Sequence, residues 1–335
     1  MRRTSLSMAS ALAAVAIALP LVTATADAGK TAPSSYVFGV IGDVPYGAAQ
    51  VVAFPGWVDQ ISADPDVRFV AHVGDIKSGS TACSDPYFDF IRGEFDRFDS
   101  PLVFTPGDNE WTDCHRPNNG AHDPYERLDA LRAEFFPEPG VTLGAETMKV
   151  DAQPGFPENV DWHAARVTFT TAHVVGSNNG MAPWTGATEP NDRQVTEVAA
   201  RNDANIAQLV EAFAQAKQRH DRAVVVFQQA DMFDPTYSPT FAEVSAFKSW
   251  VQALIDESDA FGRPVYLFDG DSHVYNVDKP LAPGSKWLAL YAAEGAAGNL
   301  TRITVDGSSN NTDWLKVQVH RSGPEVMTWQ QIPYR

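Results

Sequence analysis

YVFGVIGDVP (residues 36–45), VRFVAHVGDI (67–76) and LVFTPGDNE (102–110) each run from an apolar stretch into a Gly-Asp pair. Apolar runs of this length, rich in Val, Ile and Phe, read as strands buried on both faces. Helical patterns separate them. Residues 54–63 follow this pattern, and residues 87–98 carry Phe88, Ile91, Phe95 and Phe98 at helical spacing. Residues 124–136 read as a helix that stops at Pro137 and Pro139. Strand and helix therefore alternate through the first half, which predicts a largely parallel sheet with right-handed crossovers. Each aspartate lies just past a strand, at the edge where open α/β sheets bind ligands. Carboxylates gathered there repel one another unless a cation lies among them.

The second half supplies further elements. Residues 140–159 are rich in Pro and Gly and read as irregular. A strand over 164–171 leads to Gly176-Ser177-Asn178-Asn179, where Asn178 is a candidate substrate contact and a tight turn is the plainer account. The longest helical pattern covers 192–220, with Ile206, Leu209, Val210 and Phe213 on one face. A buried strand at 224–227 ends in Gln228-Gln229, a helix covers 241–258, and a strand at 264–268 runs into Gly270-Asp271-Ser272-His273. Short strands at 287–291, 301–305, 314–320 and 326–330 close a second, more antiparallel sheet. The expected fold class is α/β, with two stacked mixed sheets flanked by helices in one domain.

The bulk numbers bound the function. Arg2-Arg3, an apolar run over 8–22 and the ending Ala26-Asp27-Ala28 make residues 1–28 a secretory signal peptide, cleaved near Ala28. The apolar run is shorter than the ~20 residues a spanning helix needs, so the mature chain is expected to be secreted or periplasmic. A net charge of −17 excludes nucleic acid and anionic membranes as electrostatic partners. Cys83 and Cys114 each follow an aspartate block in a loop at the same sheet edge. Export permits a Cys83–Cys114 disulfide; two free thiols are the alternative.

The four blocks, in order, resemble the motif series of calcineurin-like metallophosphoesterases. The resemblance covers residues 36–273 and makes 35–335 a phosphoesterase domain of the four-layer αββα kind. It implies two divalent ions bridged by Asp75, with Asp43 and His273 joining Asp75 on the first and Asp108 and Asp271 joining it on the second. It further implies hydrolysis of a phosphate mono- or diester by metal-activated hydroxide, on a phosphorylated small molecule or an exposed phosphoester. Asn109 stands at the family's catalytic and substrate-contacting position.

The departures from the family pattern are specific. Pro45 replaces the first His, Asp108 an Asn, Asn109 the leaving-group His, Gln229 (or Gln228) the lone His, and Asp271 the first His of the last block. His273 alone remains. Four aspartates with few imidazoles favour hard cations (Mn²⁺, Mg²⁺ or Ca²⁺) over Zn²⁺, and the loss at Pro45 leaves one ion or two open. Asn109 cannot serve as a general acid; Glu110, His115 and His122 lie near enough to substitute, or are a supporting carboxyl and two exposed loop residues. A non-catalytic relative that keeps a structural cation or phosphate-binding site is the competing expectation.

Overall fold

The computed structural model describes residues 35–335, with Met1; the expected export signal lies outside the described residues. Among the described residues, twelve strands form two sheets. The first is ordered β12-β11-β1-β2-β3. In it β1 (Ser35–Ile41), β2 (Val67–His72) and β3 (Leu102–Phe104) run parallel. The helices Gly47–Ser62 and Asp85–Phe95 cross between them on the outer face. The second sheet is ordered β4-β5-β6-β7-β8-β10-β9. Its centre, β6 (Val167–Thr171), β7 (Ala223–Phe227), β8 (Val265–Asp269) and β10 (Leu300–Thr304), is parallel; β4 (Asp151–Gln153), β5 (Phe156–Ala164) and β9 (Asn276–Asp278) add antiparallel edges.

The inner faces of the sheets meet in an aromatic layer. Phe38 of β1 stacks on Phe69 of β2 at 4.8 Å, and Phe69 meets Trp162 of the other sheet edge-on at 5.2 Å. Phe169, Phe227 and Phe268 complete the layer, all fully buried. Such rings contribute both area and preferred edge-to-face geometry. The outer face of the second sheet carries the helices Asp192–Arg219 and Lys248–Phe261. Asn191 caps the longer one in a reciprocal box with Gln194, and His220 ends it in the left-handed region at φ 55°. The layers are therefore helix, sheet, sheet, helix.

Four sequence expectations change. The region 140–159 holds β4 and the first part of β5, joined through Gly155 at φ 85°. The strand expected over 164–171 is interrupted: Ala165 and Arg166, both at positive φ, turn the chain from β5 into β6. Residues 287–291 are not a strand but most of a helix, Lys286–Leu290, begun by Ser285, whose Oγ accepts from Trp287 N. The last strands do not close the second sheet. β11 (Asp313–His320) and β12 (Met327–Pro333) extend the first sheet, antiparallel beside β1.

Candidate metal centre

The carboxyl ends of β1, β2, β3, β7 and β8 open onto one edge, and the loops that follow them carry Asp43, Asp75, Asp108, Gln229 and Asp271. Main-chain bonds lash these loops together. Asp43 N donates to Gly74 O at 3.0 Å, and Gly270 N donates to Gln229 O at 3.0 Å. Asp43, Asp75, Asp271 and His273 all sit at positive φ, between 53° and 65°. Non-glycine residues hold that conformation only where the surroundings impose it, at roughly 1 kcal/mol or more each. Two glycines let the side chains pack: a Cβ on Gly107 would fall 2.0 Å from Asp75 Oδ1, and one on Gly270 2.0 Å from Asp43 Oδ2.

The result is two groups sharing one residue. Asp43, Asp75 and His273 offer ligand atoms all within 4.8 Å of one another, as do Asp75, Asp108 and Asp271. Asp43, Asp75 and Asp108 are buried; Asp271 and His273 are partly exposed. Either group could hold a metal ion.

The electrostatics follow from this crowding. Burial, then the charges of Asp108, Glu110, Asp43 and Asp271, hold Asp75 well above the usual carboxylate range. Burial, then Asp108 and Asp43, do the same to Asp271. Asp43 is also raised by burial, against the opposing pull of His273, whose Nε2 lies 3.1 Å from Asp43 Oδ1. Burial lowers His273, but its bond to Asp43 and the surrounding carboxylates outweigh that and raise it. A cluster that takes up protons when empty is one that a cation would satisfy. Its buried oxygens and near-absence of nitrogen donors fit a hard ion.

Asn109 turns inward. Its Nδ2 donates to Asp75 Oδ2 at 2.6 Å and to Tyr46 Oη at 2.8 Å, while its main-chain N meets Asp75 Oδ1 at 3.2 Å. Gln229 is placed at the cluster but oriented away from a ligand role. Gly176 N needs an acceptor and finds Gln229 Oε1 at 2.6 Å, which leaves Nε2 facing Asp108 Oδ1 at 3.5 Å. Gln228 bonds Ala230 O and Trp250 Nε1. Asn178 is directed elsewhere too, its amide donating to Ala242 O and accepting from Ala246 N. Cys83 and Cys114 form a disulfide packed against Asn109 O. Glu110 is buried, accepting from Asp75 N at 3.1 Å and Gly107 N at 2.6 Å; burial pushes it up to about 7. His115 bonds Thr185, and Trp111 is buried beneath the loop against Leu128 and Val175.

Three contributors have no motif to announce them. Tyr46 places Oη 2.7 Å from Asp75 Oδ2. Lys77, fully buried, donates to Asn109 O at 2.5 Å. Ser177 donates to Asp108 Oδ2 at 2.7 Å from a turn in which Ser177, Asn178 and Asn179 are all left-handed. The Gly176…Gly180 frame of that turn is the one signal that could have pointed to it.

No family model matches the chain, and no curated protein matches it in sequence. Among solved structures it is similar to GAP50, the anchor in the inner membrane complex of Plasmodium, with TM-score 0.45 and 11% identity over 90% of each chain. It is also similar to purple acid phosphatase PPD1 from yellow lupin (Lupinus luteus) seeds, with TM-score 0.42 and 10% identity, covering 90% of this chain and 54% of that one.

Proposed function

We propose that residues 35–335 form a calcineurin-like domain that binds one or two hard divalent cations and hydrolyses a phosphate ester. The observation that carries this is the sharing of Asp75 between two ligand groups, each within 4.8 Å. Asp43 and His273 would complete one site with Asp75, and Asp108 and Asp271 the other. A bound divalent cation supplies Lewis acidity and offsets the carboxylates' charge, which a phosphoester anion otherwise could not approach. The chain's own part is positional. Tyr46 and Asn109 fix Asp75 Oδ2, and Glu110 fixes the Asp75 main chain. The residue at 109 holds no titratable proton, so no proton reaches a leaving group from there, and esters with good leaving groups are the expected substrates: phosphorylated small molecules or exposed phosphoesters. Mn²⁺, Mg²⁺ and Ca²⁺ suit the donors better than Zn²⁺. The Cys83–Cys114 disulfide accords with an exported chain.

One observation favours a second reading, a cation-binding relative without turnover: the Asn109 amide is committed to Asp75 and Tyr46 rather than facing solvent. Chelator-stripped protein titrated with each cation, then assayed on an aryl phosphate monoester and diester, separates the two. Cation-dependent turnover abolished by Asp75→Asn supports the hydrolase. Cation-dependent stabilisation with no turnover supports the binder, and indifference to every divalent ion refutes both.

A further inference from the structure

Two divalent ions would only balance the four aspartates, and Glu110 and Asp113 add further acid beside them. An anionic ester needs more positive charge than that. Among the described residues, Lys77, Arg116 and His273 act on these carboxyls, and Arg302 acts on their neighbours Asp231 and Asp269. Lys77 is fully buried and spends its ammonium on the carbonyls of Asn109 and Ser78. Arg302 is fully buried and engaged by Asp231 and Asp278. His273 is tied to Asp43.

Arg116 differs. Its side chain is 39% exposed, with Nη1 2.6 Å from Asp113 Oδ2. Nη2 donates to Ser177 Oγ at 3.3 Å, and that hydroxyl in turn donates to Asp108 Oδ2 at 2.7 Å. Gly79 keeps the space beside it open: a Cβ there would lie 2.9 Å from Asn109 Oδ1 and 3.9 Å from Arg116 Nη1. The guanidinium thus stands one hydroxyl away from a cluster carboxylate, at the rim, with a planar fork of donors of the kind that pairs with phosphate oxygens.

Resting on the hydrolase reading of the same cluster, we infer that Arg116, positioned by Asp113 and Ser177, binds the outer oxygen of a terminal phosphate and so selects phosphate monoesters over diesters. A monoester has three non-bridging oxygens, so one remains when two turn towards the cluster; a diester has only two, its second alkyl group standing where the third would be.

The test uses the Mn²⁺-loaded full chain, with inorganic phosphate and dimethyl phosphate as titrated probes and aryl mono- and diesters as substrates. Charged hydrogen bonds of this kind are worth about tenfold to a hundredfold in affinity. Arg116→Gln is expected to weaken inorganic phosphate by that factor, to leave Mn²⁺ and dimethyl phosphate affinity unchanged, and to lower kcat/KM for the monoester only. Arg116→Lys recovers part of the phosphate affinity, and Asp113→Asn with Arg116→Gln guards against a fold lost to an unpaired Asp113. Phosphate binding unchanged in Arg116→Gln overturns the assignment, as does an equal loss for mono- and diester, or a Mn²⁺-loaded wild type that does not bind phosphate. Arg116-dependent phosphate binding without turnover of either ester keeps the subsite and removes the hydrolytic reading.

Discussion

Replacing Asp75 by Asn should invert the stability order of variant and wild type when a divalent cation is added. In metal-free protein near pH 8, the Asp75 carboxyl faces Asp43 on one side and Asp108 and Asp271 on the other, with ligand atoms inside 4.8 Å. At the effective dielectric suited to such sites, one ionised pair at that spacing repels by about 3–4 kcal/mol. The wild type relieves part of this by holding protons, as the raised Asp75 and Asp271 show. Asn carries no charge and keeps one oxygen for the donors of Tyr46 and Asn109, losing a charge-assisted bond worth about 1.5–3 kcal/mol. The balance leaves the variant about 1–2 kcal/mol more stable in chelator. A domain of about 300 residues unfolds with an entropy near 0.6 kcal/mol/K, so its Tm rises by about 2–3 °C. A cation at a thousandfold its Kd then stabilises the wild type by about 4 kcal/mol, or about 6 °C, and the variant by much less. Melting curves at pH 8 in chelator and in Mn²⁺ should cross; as pH falls and the raised Asp75 and Asp271 take up protons, the metal-free difference should shrink. A variant less stable than wild type in chelator at pH 8, or a wild-type Tm indifferent to Mn²⁺, Mg²⁺ and Ca²⁺, would refute the reasoning.

Glu110 predicts a pH slope: its carboxyl is raised from 4.5 to about 7 by burial, so the unfolded chain loses its proton first. Its contribution is present below about pH 4.5 and fades as pH rises to 7, costing metal-free protein on the order of 3 kcal/mol by pH 8; urea unfolding across pH 5–8 should show the decline, and Glu110→Gln should flatten it. Reducing Cys83–Cys114 opens a loop with a sequence separation of 31, which should cost about 3–4 kcal/mol in urea midpoints with and without reductant. Gly107→Ala puts a methyl group 2.0 Å from Asp75 Oδ1, so calorimetric Mn²⁺ affinity should fall at least tenfold; unchanged affinity would mean Asp75 is not held as described. Phe69→Ala removes a fully buried ring that meets Phe38, Phe169 and Trp162, and should lower unfolding free energy by about 3–5 kcal/mol with no change in cation affinity.

The fold was legible where burial wrote it into composition. The apolar runs before Asp43, Asp75 and Asp108 became parallel strands because a strand covered on both faces has few polar positions to spare. Legibility failed where backbone conformation outran residue type. Ala165 and Arg166 make a left-handed turn without the Gly or Asn that usually marks one, so two antiparallel strands read as one. The helix at Lys286–Leu290 is too short for periodicity to separate from a strand, and only the Ser285 cap gives it away. Pairing partners were hidden for a different reason. Nothing local in 313–320 says that it lies beside β1 at the other end of the chain.

The candidate site divides along the same line. The aspartates could be found because each is tied to a strand end, a position that sequence order reports. The groups that decide what those aspartates do are tied to geometry instead. Tyr46 reaches Asp75 across 29 residues, Lys77 reaches Asn109 across 32, and Ser177 reaches Asp108 across 69. Hydrogen bonds of this sort need direction as well as proximity, and direction came out opposite to expectation at Gln229, whose oxygen is drawn off by Gly176 N, and at Asn178, which turns to Ala242 while its neighbour Ser177 turns to the cluster. The same logic makes Arg116 the informative residue. Charge count alone left the cluster too acidic for an anionic substrate, and among the described residues the half-exposed guanidinium beside Ser177 is what could reverse that locally. If phosphate still binds when Arg116 is replaced, the bound cations alone draw it in, and the arginine subsite falls while the hydrolase reading stands; if the cation-loaded wild type binds no phosphate, cation binding without turnover becomes the better account of the carboxylates placed there.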